Sequence, residues 1–245
     1  MSGAALSSLQ VQMTLSRKME IIADNLANMS TPGFKAEMLA IIPDSDGTAP
    51  SDKRFAVPLG IVRDTREGNL SQTGNALDLA IQGKGFFQVE LPTGETAYTR
   101  DGTFQLDANG QIVTHEGYKV LPGITVSSDA IDITINASGQ VLMKIEGQVS
   151  LSTAGQLQIA SFPNDAGLEA IGGNLYTETP ASGNGATAVP GSTGFGSILQ
   201  GFLETSNVNA VEEISNLISA QRAYEMNSKV IQTADEMMGT LTSLR

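Results

Sequence analysis

The N-terminal part of the fold is decided by the stretch Val11–Gly33, which reads VQMTLSRKMEIIADNLANMSTPG. Its apolar residues recur every three or four positions, at Val11, Leu15, Met19, Ile22, Leu26 and Met29. This spacing places them on one stripe of an α-helix. No Gly or Pro occurs between Ala4 and Asn28, whereas Pro32-Gly33 ends the pattern because Pro lacks an N–H donor and Gly accepts the turn that follows. The stretch therefore predicts an amphipathic helix up to about Asn28.

A second long helix is predicted at the other end of the chain, from Asn209 to Leu244. Its stripe consists of Ile214, Leu217, Gln221, Tyr224, Ser228, Ile231 and Met238. Ser206 or Asn207 is the expected N-cap, and Glu212 and Glu213 lie in the first turns, where the helix dipole favours negative charge. Two helices of this length at the ends of one chain favour pairing as a coiled coil.

The middle of the chain alternates apolar and polar residues, which is typical of half-buried strands. The alternation is clearest at Leu77–Ile81, Phe87–Leu91 and Ile131–Ile135. Among many Gly-containing turns, Asn109-Gly110 is the strongest hairpin signal, since a two-residue hairpin turn needs positive φ. One ring of the pair Phe86-Phe87 is expected to face the core.

Two segments rich in Gly, Ser and Pro, Pro43–Pro58 and Thr179–Gly196, predict linkers. The predicted fold class is therefore α+β, with long terminal helices that pair as a coiled coil and a central all-β domain of antiparallel hairpins. We expect residues 1–35 and 205–245 to form a discontinuous helical assembly domain. Residues 36–67 would be a linker, residues 68–178 the β domain and residues 179–204 a second linker.

Composition excludes several classes of function. The net charge of −12 argues against binding to nucleic acid or to anionic lipid. The chain has no cysteine, which excludes disulfides and thiolate metal sites. No apolar run approaches the roughly 20 residues that span a bilayer, and Arg17 and Lys18 lie too far along the chain for a signal peptide. We expect no membrane insertion, and any export to occur without a cleaved signal peptide.

Residues that commonly carry catalysis or bind metals are scarce. His115 is the only histidine, and a zinc site needs three or four nitrogen or sulfur ligands. The segment Gly83-Lys84-Gly85 lacks the spacing of a phosphate-binding loop. We predict no catalytic residue, no cofactor, no metal and no small-molecule substrate.

Carboxylates leave one enzymatic alternative open, a cell-wall glycosidase. Such an enzyme needs only two carboxyl groups about 5–10 Å apart. The candidates are Asp78, Glu90, Asp101, Asp107 and Asp132. All five lie in predicted strands or turns, where solvent-facing and turn-capping carboxylates are common, so the structural interpretation is favoured.

Six short segments occur along the chain in a fixed order. Together they identify a protein family far more specifically than any one of them does alone. They are Asp24–Lys35 (DNLANMSTPGFK), Gly68–Thr73 (GNLSQT), Leu77–Phe87, Tyr98–Gly102 (YTRDG), Glu204–Asn209 (ETSNVN) and Ala220–Glu225 (AQRAYE). In this order they resemble the signatures of the flagellar rod and hook proteins. The resemblance spans nearly the whole chain.

The resemblance implies a structural, non-enzymatic subunit of the flagellar basal-body rod. Its terminal helices would pair in an inner coiled-coil layer of a helical polymer, with the β domain outside. The implied partners are further copies of the chain, other rod and hook subunits and the flagellar type III export apparatus, and the implied location is the periplasmic part of the basal body. Within the family, the short stretch between Phe34 and Gly68 favours a proximal-rod over a distal-rod subunit.

We expect the assembly interface to lie on the two helices. The predicted residues are Leu15, Met19, Ile22, Asn25, Leu26, Asn28, Leu217, Gln221, Tyr224, Ile231 and Met238. The alternative is that these faces pack on the β domain within one chain. A more remote alternative is an extracellular fibre or adhesin module, which predicts a secretion signal.

Overall fold

The computed structural model describes residues 3–43, 56–148 and 150–243, which fall into two compact units. The helical unit consists of Met1–Met29, Ala36–Asp64 and Val208–Arg245, and the β unit of Ser30–Lys35 and Thr65–Asn207. The predicted α+β class, with a long helix near each end and a mostly β centre, is confirmed.

The helical unit contains both helices, α1 (Gly3–Ala27) and α2 (Ala210–Ser243), and an antiparallel hairpin. The hairpin strands are β1 (Glu37–Pro43) and β2 (Ala56–Arg63). Their register pairs Glu37 with Arg63, whose side chains also form an ion pair at 3.3 Å.

The hairpin lies in a segment for which the sequence predicted a linker, residues 36–67. The Pro-, Asp- and Gly-rich residues 43–58 dominated that interpretation. The flanking runs Met38–Ile42 and Ala56–Val62 are rich in residues that favour strands. Residues 44–55 of the predicted linker lie outside the part of the chain that the structure describes.

The start of α2 also differs from the prediction by a few residues. The N-cap is Asn209 rather than Ser206 or Asn207, because Asn209 Oδ1 accepts the backbone N–H groups of Val211 (3.2 Å) and Glu212 (3.4 Å). These are the second and third N–H groups of the helix, which otherwise have no partner.

The β unit is built from short strands, and every strand pairing in the described part of the chain is antiparallel. The strands are β3 (Leu70–Gln72), β4 (Leu79–Gln82), β5 (Phe86–Glu90), β6 (Thr96–Thr99), β7 (Phe104–Leu106), β8 (Ile112–Thr114), β9 (Lys119–Val120), β10 (Ala130–Ile135), β11 (Gln140–Ile145), β12 (Ser152–Gln156), β13 (Ile159–Ser161), β14 (Glu169–Gly172), β15 (Leu175–Thr177), β16 (Ala186–Ala188), β17 (Ser197–Gln200) and β18 (Phe202–Glu204). A short 3-10 helix, Asp165–Gly167, precedes β14.

The largest sheet has nine strands. Seven follow the order β14-β15-β6-β5-β9-β8-β7, and β13 joins β5 to β16. A three-stranded sheet has the order β10-β11-β12, and β17 and β18 pair with β4 and β3. The hairpin predicted at Asn109-Gly110 is confirmed between β7 and β8, where Gly110 has φ +76°.

The core of the β unit is formed by alternating strand residues. Phe87 is fully buried in the main apolar cluster and packs edge-on against Phe104, with ring centroids 5.0 Å apart. Phe86 is buried as well, in a second cluster with Tyr98, Phe162 and Tyr176, among others. One buried ring of this pair was expected, and the structure buries both because β5 lies inside the large sheet with side chains covering both of its faces.

The predicted second linker, residues 179–204, contains three strands, β16, β17 and β18. Each pairs with a strand distant in sequence, such as β18 with β3 in a register that sets Glu204 opposite Leu70. Gly, Ser and Thr made this segment resemble a loop, and its order comes from long-range partners that a local pattern does not reveal.

Candidate assembly site

The two terminal helices lie side by side in antiparallel orientation within the helical unit. Near the C-terminal end of α1, Asn25 Nδ2 donates to Glu213 Oε1 in the first turn of α2, at 2.9 Å. Toward the start of α1, Ser8 O accepts a hydrogen bond from Asn227 Nδ2, further along α2, at 2.8 Å. The late residue of α1 contacts an early residue of α2 and the early residue of α1 contacts a later one, so the two helices are antiparallel.

One stripe of each helix is turned toward the interior of this unit. On α2, Glu213 and Asn227 mark the face that contacts α1. Buried or half-buried residues with helical spacing share that face: Leu217, Ala220, Tyr224 and Ile231. On α1 the buried and half-buried residues of the predicted stripe are Leu15, Met19, Ile22 and Leu26. These predicted interface residues are therefore at least partly covered within a single chain.

The opposite face of α2 is exposed, and it carries apolar residues among charged ones such as Arg222 and Lys229. The apolar residues are Val211, Ile214, Ile218, Met226 and Val230. Val211 is 78% and Met226 63% exposed. At about 100° per residue, this group lies roughly opposite Glu213, Ala220 and Asn227. A helix with apolar residues on two opposite faces needs a second covering surface, and contiguous exposed apolar residues mark interaction sites.

Three other predicted interface residues occupy different positions. Gln221 is exposed on α2. Asn28 directly follows α1, and its Nδ2 donates to the Asp24 carbonyl oxygen at 2.9 Å, which caps the end of that helix. Met238 lies in α2, but its side chain is outside the part of the chain that the structure describes.

Asn25 belongs to the predicted assembly interface, and within the single chain it is buried, with 1% exposure. Its Nδ2 donates to the Glu37 carbonyl (2.8 Å) and to Glu213, while its Oδ1 accepts the Glu37 N–H (2.8 Å). A buried amide is stable only when its polar atoms are satisfied. Asn25 therefore joins α1, β1 and α2 within one chain.

A buried ion cluster lies in the β unit, formed by Lys35, Arg100 and Glu204. Lys35 Nζ lies 2.5 Å from Glu204 Oε1, and Arg100 Nε lies 2.9 Å from Oε2. Glu204 Oε1 also accepts the Gly68 N–H at 2.9 Å. All three charged side chains are more than nine-tenths buried. Burial lowers the pKa of the Lys35 ammonium, and the adjacent Glu204 carboxylate opposes that shift.

Each cation of the cluster has further partners. Lys35 Nζ donates to the Arg66 carbonyl at 2.8 Å. Arg100 Nη1 donates to the carbonyl oxygens of Gly83 (3.0 Å) and Gly85 (2.6 Å). Lys35, Arg100 and Glu204 lie in three separate signature segments of the sequence, and no role was predicted for them. The only available signal was a charged residue among Gly- and Thr-rich neighbours, which does not reveal a partner elsewhere in the chain.

Backbone segments approach closely beside the cluster at Gly33. Its φ of +69° lies in the left-handed region, and a Cβ there would be 2.5 Å from the carbonyl carbon of Arg100. Its N–H donates to the Glu204 carbonyl at 2.7 Å. Gly33 is required both for the turn after α1 and for this contact.

Asp101 follows Arg100 and is partly buried. Its Oδ1 accepts the N–H (2.9 Å) and the hydroxyl (2.8 Å) of Thr103. Burial raises the pKa of the Asp101 carboxyl above its ordinary value, although the Thr103 hydrogen bonds act in the opposite direction.

A raised carboxyl pKa gives a pH-dependent prediction for Asp101→Asn. The folded state binds the proton more tightly than the unfolded state, so ionised Asp101 lowers the stability of the fold at pH values above its raised pKa. This loss disappears as the pH falls below 3.8, the ordinary pKa of the carboxyl. Asn keeps an oxygen that accepts both Thr103 hydrogen bonds. We expect Asp101→Asn to be more stable than the parent chain at pH 7 and equally stable at pH 3. Urea unfolding at the two pH values measures this, and a gain that persists unchanged at pH 3 would contradict it.

The other carboxylates serve the local structure. Asp107 Oδ1 accepts the backbone N–H groups of Asn109 and Gln111 at 2.8 Å each, which shapes the β7–β8 turn. Asp78 accepts a hydrogen bond from Asn75, and Glu90 and Asp132 are exposed strand residues.

Within residues 3–43, 56–148 and 150–243, no group of His, Cys, Asp and Glu side chains could hold a metal ion. His115 is exposed between β8 and β9.

The described residues include no helix long and apolar enough to cross a membrane.

Comparison with known proteins connects these features. Residues 6–35 match the model of the flagella basal body rod protein family, residues 80–143 that of the flagellar hook protein FlgE/F/G D1 domain, and residues 199–244 that of the flagellar basal body rod FlgEFG protein C-terminal region. The flagellar basal-body rod protein FlgG of Caulobacter vibrioides is 49% identical over 243 residues, which cover 92% of this chain and 93% of that protein. This chain belongs to the flagellar basal-body rod protein family. As a rod protein it is a structural subunit of the flagellar basal body, and the family is not an enzyme family.

Similarity within the rod family favours FlgG. FlgG of Bacillus subtilis is 35% identical over 248 residues, covering 93% of each chain. FlgF of Caulobacter vibrioides is 34% identical over 251 residues, covering 97% of this chain and 95% of that protein. The prediction of a proximal, FlgF-type subunit relied on the short stretch between Phe34 and Gly68. Connecting segments tolerate insertions and deletions, so the identities carry more weight and support the distal, FlgG-type alternative.

Proposed function

We propose that this chain is a distal-rod subunit of the FlgG type that polymerises through its terminal helices. Its higher identity to proteins named FlgG than to FlgF supports the distal type. Its partners would be further copies of itself, neighbouring rod and hook subunits, and the flagellar export apparatus. Its location would be the periplasmic part of the basal body.

The observation that carries this proposal is the exposed apolar face of α2. In one chain, α1 and α2 cover only their inward stripes, and Val211, Ile214 and Ile218 remain exposed. A second molecule that covers them would remove this apolar surface from water, which stabilises the assembled state. Contacts that do not close on themselves give a filament. We propose that coiled-coil packing of α1 and α2 provides the framework for this contact.

Ile218→Asp tests the proposal with little effect on the free chain. Ile218 is 45% exposed, so about half of its apolar surface is covered within the chain and we expect the free energy of unfolding of the monomer to fall by only about 1 kcal/mol. A carboxylate buried between subunits would have no partner, so we expect rod assembly and motility to be lost. The measurement is complementation of a Caulobacter vibrioides strain lacking FlgG, scored by isolated basal bodies and by swimming.

The matched control is Ile218→Leu, which keeps the apolar side chain and should assemble normally. Leu26 and Ile231 are less suitable test positions because both are partly buried within the chain. An Ile218→Asp chain that is stable, exported and fully motile would overturn assembly through this face. A parent chain that restores a strain lacking FlgF, but not one lacking FlgG, would overturn the distal assignment.

A further inference from the structure

The three segments that lead from the β unit into the helical unit meet at one carboxylate. The chain passes between the units at 29/30, 35/36, 64/65 and 207/208, and the first two of these points bound the single segment 30–35. Within the β unit, Glu204 contacts Lys35 through Oε1, the Gly68 N–H through the same oxygen, and the Gly33 N–H through its backbone carbonyl. Residues 33–35, 66–69 and 204–207 are thus held together by one residue.

Further hydrogen bonds tie the same segments. The Thr205 N–H and hydroxyl both donate to the Asn69 carbonyl, at 2.8 and 3.0 Å. Asn207 Nδ2 donates to the Arg66 carbonyl at 3.0 Å, the same oxygen that Lys35 Nζ contacts. Arg100 connects Glu204 to the loop at Gly83 and Gly85, which fixes the arrangement to the large sheet.

A charged cluster is a costly way to obtain stability alone. Moving charges out of water carries a penalty that apolar residues of similar volume avoid, so buried ion pairs are weak evidence for a stabilising role. A buried carboxylate does restrict which groups can satisfy it, and here those groups come from three different backbone segments. This requirement defines one arrangement of the segments.

We propose that Glu204 is a positioning residue for assembly: through Lys35 it holds together the segments of the β unit that adjoin the two terminal helices and the β1–β2 hairpin. This inference rests on the proposed function. Lys35 supplies the tie to the segment after α1, whereas Arg100 supplies the charge balance and the tie to the sheet. Polymerisation needs these departure points in one fixed arrangement, so the loss of the tie impairs assembly more than it impairs folding.

Lys35→Met separates positioning from stability. Without Lys35, the Glu204 carboxylate still has Arg100 as its counter-charge and the Gly68 N–H as a donor, and the Arg66 carbonyl still accepts from Asn207. No buried charge or carbonyl is left unpaired, and the desolvation cost of the ammonium disappears. We therefore expect the melting temperature of the full chain to stay within about 4 °C of the parent.

The tie itself should be lost in Lys35→Met. Amide hydrogen exchange, measured by NMR on the full-length chain, should speed up by about 10-fold or more at Gly33, whose N–H donates to Glu204, because that segment can open locally. In the strain lacking FlgG, the variant should form few or no complete rods. The matched control Lys144→Met, which replaces an exposed lysine on β11, should match the parent in melting temperature, exchange and rod formation.

Unchanged exchange at Gly33 in Lys35→Met would overturn the proposal, and so would normal rod formation by that variant. If Lys35→Met lost assembly but its melting temperature also fell by much more than 4 °C, the proposal would be overturned as well. The cluster would then act only by stabilising the fold. If the parent chain itself fails to form rods in any rod-deficient strain, the proposed function fails. In that case, comparing amide exchange at Gly33 between Lys35→Met and Lys144→Met still tests whether Lys35 holds the segment after α1 to Glu204.

Discussion

Glu204→Gln is expected to lower the free energy of unfolding of the β unit by about 3–5 kcal/mol, the range measured when one partner of a buried ion pair is removed. The amide removes the carboxylate that Lys35 and Arg100 both contact, in a site where both side chains are at least 95% buried. The amide NH₂ group would also compete with these cations for the few acceptors nearby. Urea unfolding followed by the near-ultraviolet signal of tyrosine measures the change, since Tyr98, Tyr118 and Tyr176 lie in the β unit and only Tyr224 lies in α2.

The control for this experiment is Glu169→Gln, which makes the same chemical change on the exposed strand β14. We expect it to alter the free energy of unfolding by no more than about 0.5 kcal/mol. A loss of less than about 1 kcal/mol in Glu204→Gln would mean that water or a rearranged side chain reaches the two cations, contrary to the buried geometry.

The second large effect is expected for Gly102→Ala. A Cβ at this position would lie 1.6 Å from the carbonyl oxygen of Leu79, a distance that no side-chain rearrangement can relieve because the obstacle is backbone. Leu79 is 1% exposed and belongs to the main apolar cluster, and its N–H donates to the Gly102 carbonyl at 3.0 Å. Separating the two segments would break this hydrogen bond and open the core. We expect a loss of at least about 4 kcal/mol, visible in the same urea titration.

Gly60→Ala is the matched control, since a Cβ at this exposed strand position meets nothing within 4 Å. The chain should then keep its stability or gain up to about 1 kcal/mol, because alanine restricts the unfolded state. A Gly102→Ala protein as stable as Gly60→Ala would show that the segments at Leu79 and Gly102 are further apart than the structure has them.

Local patterns in the sequence predicted much of the fold. The stripe from Val11 to Met29 predicted α1, the stripe from Ile214 to Met238 predicted α2, and Asn109-Gly110 predicted the β7–β8 hairpin. Each of these features depends on residues close together in the chain, where side-chain period and turn geometry leave a direct record. The strands in 36–67 and 179–204 were missed because flexible, turn-forming residues dominate those segments, and because strands such as β17 and β18 pair with residues more than 100 positions away.

The sequence by itself determined the α+β class, the terminal helices, the alternating strands of the centre and, through its ordered signature segments, the family. Only the tertiary structure decided which residues meet. It turned Asn25 inward onto Glu37 and Glu213, left Val211 and Ile218 outside, and brought Lys35 to Glu204 across 169 positions of sequence. The physical reason is that periodicity records which face of an element is apolar, whereas the partner of a buried charge or amide depends on how distant segments pack together, and no local pattern contains that information.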